Sequence, residues 1–112
     1  MPTDYLLLGI VVAYFAWRLL SSWRARRRIP ALLQEGAQVV DLRTPAEFAG
    51  GHASGSMNIP LQDLEREMKG LDPNRWVIVC CASGTRSGIA RRKLRSRGYS
   101  RVLNAGSWRN LP

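Results

Sequence analysis

The pattern of apolar positions begins with a long uninterrupted run. Residues 5–17, YLLLGIVVAYFAW, carry no charge, and apolar residues continue beyond Arg18 as far as Trp23. As a helix, residues 5–23 would span about 28 Å at about 1.5 Å per residue, close to the roughly 30 Å of a bilayer core. Arg18 lies near one end, where its side chain can reach the headgroups. The run predicts a membrane anchor over residues 1–23, with a buried core helix as the alternative.

After residue 35 the apolar pattern alternates between strand and helix. Strand patterns occupy QVVDL, SMNIP, WVIVC and RVLN, and a short turn of helix, PALLQEG, precedes the first of them. A capping box at Thr44 and Glu47, with Pro45 between, predicts a helix start. Helical spacing also marks residues 61–70 and 87–97. This alternation predicts an α/β fold, a parallel sheet flanked by helices on both faces, with the wholly apolar WVIVC as its central strand.

The net charge of +9 is unevenly distributed. Five arginines and no acid occupy residues 18–28, and eight basic residues and no acid occupy residues 86–112. Because cytoplasmic flanks of membrane helices are enriched in arginine, the first block predicts a single-pass protein of the inner (plasma) membrane with its C-terminal domain in the cytoplasm. The acidic start MPTD argues against a cleaved signal peptide. We therefore expect an anchor at 1–23, a basic juxtamembrane linker at 24–35 and a folded domain at 36–112.

Two adjacent cysteines, Cys80 and Cys81, end the predicted central strand. Neighbouring residues pair only in a strained ring, so both are expected to be free thiols in a reducing compartment. His52 is the only histidine, and no group of residues has metal-ligand spacing. The sequence therefore predicts neither a metal site nor a cofactor.

The stretch CASGTRS, residues 81–87, connects a strand end to a helix start. Such a loop directs backbone N–H groups inward, and Gly84 permits the positive dihedral angles that this requires. The helix N-terminus and Arg86 add positive charge, which lowers the pKa of a thiol and attracts anions. We expect Cys81 to be a thiolate nucleophile within an anion-binding cup, and Cys80 to be a buried structural residue. The expected cup comprises Ala82, Ser83, Gly84, Thr85 and Arg86.

The segments VVDLRTPAEFAGGHASGSMNIPL and VIVCCASGTRSGIARRKLRSRGYSRVLNAG together resemble the rhodanese domain, a family of sulfurtransferases. The ending NAGSWRNLP is similar to the short thiosulfate sulfurtransferases of the phage-shock-protein-E type. The resemblance implies that Cys81 takes sulfur from thiosulfate or another small anionic donor and passes it, as a persulfide, to a thiol, a protein or cyanide. It also implies that Arg86 attracts the donor and that His52 is structural. Supporting roles fall to Ser87 and to a charged pair of Asp41 and Arg43, which alternatively only braces strand to helix.

Other interpretations remain open at this stage. Counted from Cys80, the loop has the Cys-x5-Arg-Ser spacing of cysteine phosphatases, although no acid follows Val77 to protonate a leaving group. A non-enzymatic persulfide carrier or partner-binding module is a second alternative, because a fold does not guarantee turnover. The basic residues of 91–97 suit a solvated face or contact with membrane lipid. Nucleic acid is not an expected partner, because aromatic residues are not interleaved with these charges.

Overall fold

A computed structural model describes residues 2–112, and Met1, the first residue of the predicted anchor, lies outside them. The described residues form four strands and four α-helices, with single 3-10 turns at Leu61–Asp63, Met68–Gly70 and Trp108–Asn110. The helices are α1 (Pro2–Gln34), α2 (Pro45–Ala49), α3 (Leu64–Glu67) and α4 (Thr85–Ser96). The strands are β1 (Gln38–Asp41), β2 (Met57–Asn58), β3 (Val77–Cys81) and β4 (Val102–Ser107).

The four strands form one parallel sheet in the order β2-β1-β3-β4. This confirms the predicted parallel α/β fold and the interior position of the strand that carries the cysteines. All five residues of β3 are buried. Since successive side chains of a strand point to opposite faces, Val77, Val79 and Cys81 enter one core while Ile78 and Cys80 enter the other.

Each face of the sheet is covered by different helices. The first core packs Leu64 and Met68 of the α3 region and Ala90 and Leu94 of α4 against the sheet. The second core packs Ile29 and Leu32 of α1 against strand residues that include Ile78. The last turns of α1 are therefore part of the folded domain.

The segment 24–35, predicted as a juxtamembrane linker, is helical as far as Gln34 and continuous with the apolar run. The predicted short helical turn PALLQEG is the end of this same helix, and Gly36 follows it with a φ of 87°. Pro30 lies inside the helix, so one backbone N–H is missing there. Packing keeps this segment helical despite Pro30. Ile29 and Leu32 lie three residues apart on one face of the helix, and both are buried against the sheet.

Most of α1 extends away from this core. Its large apolar side chains between Tyr5 and Trp23 are at least 45% exposed. Of the described residues, only α1 is long and apolar enough to cross a membrane. This helix is a candidate membrane span, and an apolar surface of this extent marks a lipid or protein contact.

The remaining elements follow the predicted pattern with local differences. The capping box of α2 forms, since the backbone N–H of Glu47 donates to Thr44 Oγ1 over 3.2 Å and the N–H of Thr44 donates to Glu47 Oε1 over 3.1 Å. The predicted helix over 61–70 is divided between α3 and two 3-10 turns. The last strand runs three residues past the predicted RVLN, to Ser107.

We predict that Ile29→Ala lowers the free energy of unfolding by about 2–5 kcal/mol, the usual cost of removing a buried isoleucine side chain. Ile29 is 1% exposed within the second core, whereas Ile10 of the same helix is 58% exposed. Urea unfolding of the full chain in a nonionic detergent, followed by tryptophan fluorescence, measures the difference. Ile10→Ala is the matched control and should leave the midpoint unchanged. Equal midpoints for the two variants would contradict the integral position of α1.

Candidate active site

The loop after β3 is short, because β3 ends at Cys81 and α4 begins at Thr85. Gly84 provides the turn with a φ of 103°, the positive value that the sequence predicts. A Cβ atom at this position would lie 3.2 Å from the Cα of Gly106 in β4. Both the backbone angle and the close strand therefore require glycine here. The result is a tight bend whose N–H groups turn back toward the end of β3.

The Cys81 thiol lies inside this bend and is 1% exposed. The backbone N–H of Gly84 donates to its Sγ over 2.9 Å, and the Ser87 hydroxyl lies 3.4 Å from the same sulfur. Burial raises the pKa of Cys81, but hydrogen bonds from the Ser87 hydroxyl and from the N–H groups of Ser87, Gly84 and Ser83 outweigh it. The pKa of Cys81 therefore lies below its ordinary value, which favours the nucleophilic thiolate.

Asn104 of β4 holds this arrangement together, and sequence reasoning missed it. Its Oδ1 accepts from the Ser87 hydroxyl over 2.7 Å and from the Gly106 N–H over 2.9 Å, and its Nδ2 donates to the Gly84 carbonyl over 3.2 Å. Ser87 has one hydroxyl proton and two neighbouring acceptors, Asn104 Oδ1 and Cys81 Sγ. Rotation of this hydroxyl supplies a donor to the sulfur when the thiol ionises. The sequence signal for this role was a polar amide, Asn104, among the apolar residues of the predicted last strand.

Cys80 has the opposite environment. It is fully buried in the second core, on the far side of the sheet from Cys81. Burial, followed by the nearby Asp41 carboxylate, raises the pKa of Cys80 to about 12. A thiol held neutral in this way is a poor nucleophile. The Cys-x5-Arg spacing that suggested a phosphatase therefore starts from a side chain that faces away from the loop.

Arg86 is paired with a carboxylate. Its two terminal nitrogens donate to Glu47 over 2.7 and 3.0 Å. This pair, together with the Thr44 N–H, holds the pKa of Glu47 at about 2, so the carboxylate is ionised at any physiological pH. The sequence predicted that Arg86 attracts a donor anion, but it gave Glu47 no role beyond the capping box and the segment that carries the resemblance. The pair neutralises much of the charge of Arg86 and ties α2 to the start of α4.

Asp41 and Arg43 form the predicted charged pair, with an N–O distance of 2.8 Å. Both side chains are buried, and the Asp41 hydrogen bond raises the pKa of Arg43. The guanidinium also donates to the carbonyl oxygens of Glu47 and Gly51 over 3.3 and 2.6 Å, and it lies over the ring of Trp108 at 4.8 Å. These contacts match the alternative interpretation, in which the pair braces the end of β1 against the α2 region.

The remaining predicted residues lie as follows. Ala82, Ser83 and Thr85 are exposed on the loop, where the Ser83 and Thr85 hydroxyls are 3.5 Å apart. His52 is exposed, stacks on Phe48 and pairs its Nδ1 with the Phe48 carbonyl at 2.8 Å. Within residues 2–112, no group of three or more metal-ligating side chains lies together. The arrangement is thus a buried thiol surrounded by hydrogen-bond donors, which suits nucleophilic attack and the binding of a transferred anionic atom.

This combination of a parallel sheet and a cysteine loop is that of a known family. The rhodanese-like domain family matches residues 27–110, and the chain belongs to it. Thiosulfate sulfurtransferase GlpE of Pseudomonas fluorescens (strain Pf0-1) is 40% identical over 83 residues, covering 70% of this chain and 76% of its own. Thiosulfate sulfurtransferase PspE of Escherichia coli is 34% identical over 74 residues, covering 64% and 71% respectively.

A solved structure shows the same architecture. The rhodanese with anions from E. coli superposes with a TM-score of 0.63 at 35% identity. The superposition covers 68% of this chain and 94% of that rhodanese. The family match begins at residue 27 and so includes the buried end of α1 but not its exposed apolar part.

We predict that Ser87→Ala shifts the reactivity of Cys81 to higher pH. Below its pKa the thiol is protonated and unreactive, so removing a hydrogen bond that stabilises the thiolate raises the pH at which alkylation begins. The measurement is the pH profile of iodoacetamide labelling in a Cys80→Ser background. Thr85→Ala is the control, because it removes a nearby hydroxyl that does not contact the sulfur. Superimposable profiles for Ser87→Ala and the parent would show that the hydroxyl does not stabilise the thiolate.

Proposed function

We propose that the protein is a membrane-anchored sulfurtransferase that moves sulfane sulfur from thiosulfate, or a similar small anionic donor, to a thiol or protein acceptor through a persulfide on Cys81. The observation that carries this proposal is the sulfur environment: Sγ accepts the Gly84 N–H over 2.9 Å and lies 3.4 Å from the Ser87 hydroxyl. The names of the GlpE and PspE relatives support thiosulfate as the donor.

The first half-reaction follows from thiolate chemistry. The Cys81 thiolate attacks the outer sulfur of thiosulfate, a new S–S bond forms, and the S–S bond of thiosulfate breaks. Sulfite leaves with the bonding electron pair, and Cys81 becomes a persulfide anion. The inward N–H groups of the loop stabilise the negative charge on the transferred sulfur, as an oxyanion hole stabilises oxygen. The proposal invokes no general base, because the lowered pKa of Cys81 favours the thiolate.

The second half-reaction returns the thiolate. An acceptor thiolate or cyanide attacks the outer sulfur of the persulfide, and the Cys81 sulfur leaves with the electron pair. The product is an acceptor persulfide or thiocyanate. Under this proposal Ser83 and Thr85 contribute to the rim of the cup, and Ala82 lets the loop pass close to the substrate. Arg86 contributes a directed but partly neutralised charge, because Glu47 already binds its terminal nitrogens.

We predict that thiosulfate adds one sulfur atom to the wild-type chain and to Cys80→Ser, but none to Cys81→Ser. The reason is that the pKa of Cys80 is about 12 and its side chain lies in the opposite core, whereas the loop donors stabilise the Cys81 thiolate. Intact mass spectrometry measures the adduct, and treatment with excess thiol should remove it.

The same experiment separates the alternative functions. Loss of the adduct in Cys80→Ser with retention in Cys81→Ser would overturn the assignment of the nucleophile. A second measurement, steady-state sulfite release with a thiol or cyanide acceptor, tests for turnover. Stoichiometric persulfide formation without such release would identify a carrier instead of an enzyme.

The membrane part of the proposal rests on α1. Its exposed apolar surface precedes four closely spaced arginines, at positions 24, 26, 27 and 28. By the positive-inside rule, these arginines support a cytoplasmic position for the domain and an N-terminus across the bilayer. Trp17 and Trp23 suit the headgroup region. The basic residues of α4 add attraction to anionic lipid at the same surface.

We predict that the full chain, expressed in a bacterial host, stays in the membrane pellet after alkaline carbonate extraction. A chain of residues 24–112 is the control and should be extracted. Protease should digest the catalytic domain in inverted vesicles and leave it intact in spheroplasts, because the domain is placed on the cytoplasmic side. Release of the full chain by carbonate would show that α1 does not span the bilayer.

A further inference from the structure

A groove runs between α1 and β4 and extends to the loop that surrounds the Cys81 sulfur. Its larger part is a cavity of about 280 Å³ whose lining includes Trp17, Arg18, Ser21, Ser22 and Arg91. A second cavity of about 160 Å³ shares Arg18, Ser22 and Asn104 with the first and reaches the loop residues Ser83, Gly84 and Thr85. The family match begins at residue 27, so the α1 side of this groove lies outside the matched region.

The charge in the groove is not balanced by the described part of the chain. Arg18 comes from α1 and Arg91 from α4, and among residues 2–112 no acidic side chain lines either cavity. Arg91 is half-buried and uses its Nε to bind the Val102 carbonyl over 3.2 Å, which leaves its terminal nitrogens for another partner. Arg18 donates to the Tyr14 hydroxyl over 3.4 Å and lies 6.0 Å from the centroid of the Tyr14 ring, so both contacts are with one neutral side chain. Two arginines that converge without a carboxylate form a site for an anion.

The position of Arg18 along α1 indicates the source of that anion. Arg18 follows directly on the uncharged run 5–17, and Trp17, 64% exposed, lies beside it. In a spanning helix these positions lie at the depth of the lipid headgroups, where tryptophan and arginine are favoured. The serine hydroxyls of the lining supply further donors for phosphate oxygens. The groove therefore combines cations, hydroxyls and an interfacial aromatic ring at the level where lipid phosphates lie.

We propose that this groove is a binding site for the phosphate headgroup of an anionic phospholipid, held between Arg18 of α1 and Arg91 of α4. The proposal rests on the membrane-spanning position of α1 proposed above. It adds a defined site, with one cation from the anchor and one from the catalytic domain, to the diffuse attraction that the basic face of α4 exerts. A phosphate bound there joins the two elements at the bilayer surface.

The test compares charge-matched variants of the full chain in a nonionic detergent that contains no phosphate. Native mass spectrometry measures the dissociation constant for phosphatidylglycerol. We expect Arg18→Gln and Arg91→Gln each to weaken binding roughly fivefold, the scale of one juxtamembrane basic group. Arg26→Gln and Arg92→Gln are the controls, because they remove one charge from the same helices outside the groove. The controls lose only a share of the diffuse attraction, so they should weaken binding by less than the groove variants do.

Two further arms make the assignment specific. If both arginines hold one phosphate, the Arg18→Gln/Arg91→Gln double variant loses less than the product of the single effects. Inorganic phosphate at millimolar concentration should not displace phosphatidylglycerol, and displacement would assign the groove to free anions and overturn the lipid site. Equal losses in groove and control variants would also overturn it. If groove and control variants lose binding equally while the full chain still resists carbonate extraction, the proposed lipid site is refuted and the proposed membrane anchor is not.

Discussion

The constraint on which this structure depends is that a parallel sheet must be covered on both faces. β3 is buried throughout, and α3 and α4 supply one cover while the end of α1 supplies the other. Ile29 and Leu32 are therefore core residues of the domain although they belong to a helix whose other end is exposed and apolar. Hydrophobic burial, the largest favourable contribution to folding, links the domain to the candidate anchor directly.

The same two-sided burial separates the functions of neighbouring residues. Cys80 and Cys81 are adjacent in sequence, yet the pleat of β3 places their sulfurs in different cores and shifts their pKa values in opposite directions. Around Cys81 the donors are held by the backbone, by Ser87 and by Asn104, so they are in place before any substrate arrives. The backbone N–H groups need no rearrangement when charge develops on the sulfur, and the Ser87 hydroxyl needs only to rotate.

Much of this could be predicted from the sequence, for identifiable reasons. The parallel sheet, the capping box at Thr44 and the positive φ of Gly84 depend on local patterns and short spacings, which are visible in one chain. The partners of Arg86, the bracing by Asn104 and the helical continuity of residues 24–34 depend on contacts between distant segments. The arginines of that last region are compatible with a helix or an irregular segment when considered locally, and it is the packing of Ile29 and Leu32 that goes with a continuous helix. The same applies to Arg18, whose groove requires two helices that are far apart in sequence.

The continuity of α1 has a consequence for encounter kinetics. A flexible tether would let the domain rotate and sample partners at many heights above a bilayer, but a single helix that ends inside the core removes that freedom. With α1 embedded as proposed, the catalytic loop keeps a constant distance and tilt relative to the lipid surface. Other membrane proteins then meet the domain by diffusion in two dimensions, with the tilt of the loop relative to the bilayer already fixed. A larger fraction of collisions is productive, although the affinity for the partner is unchanged.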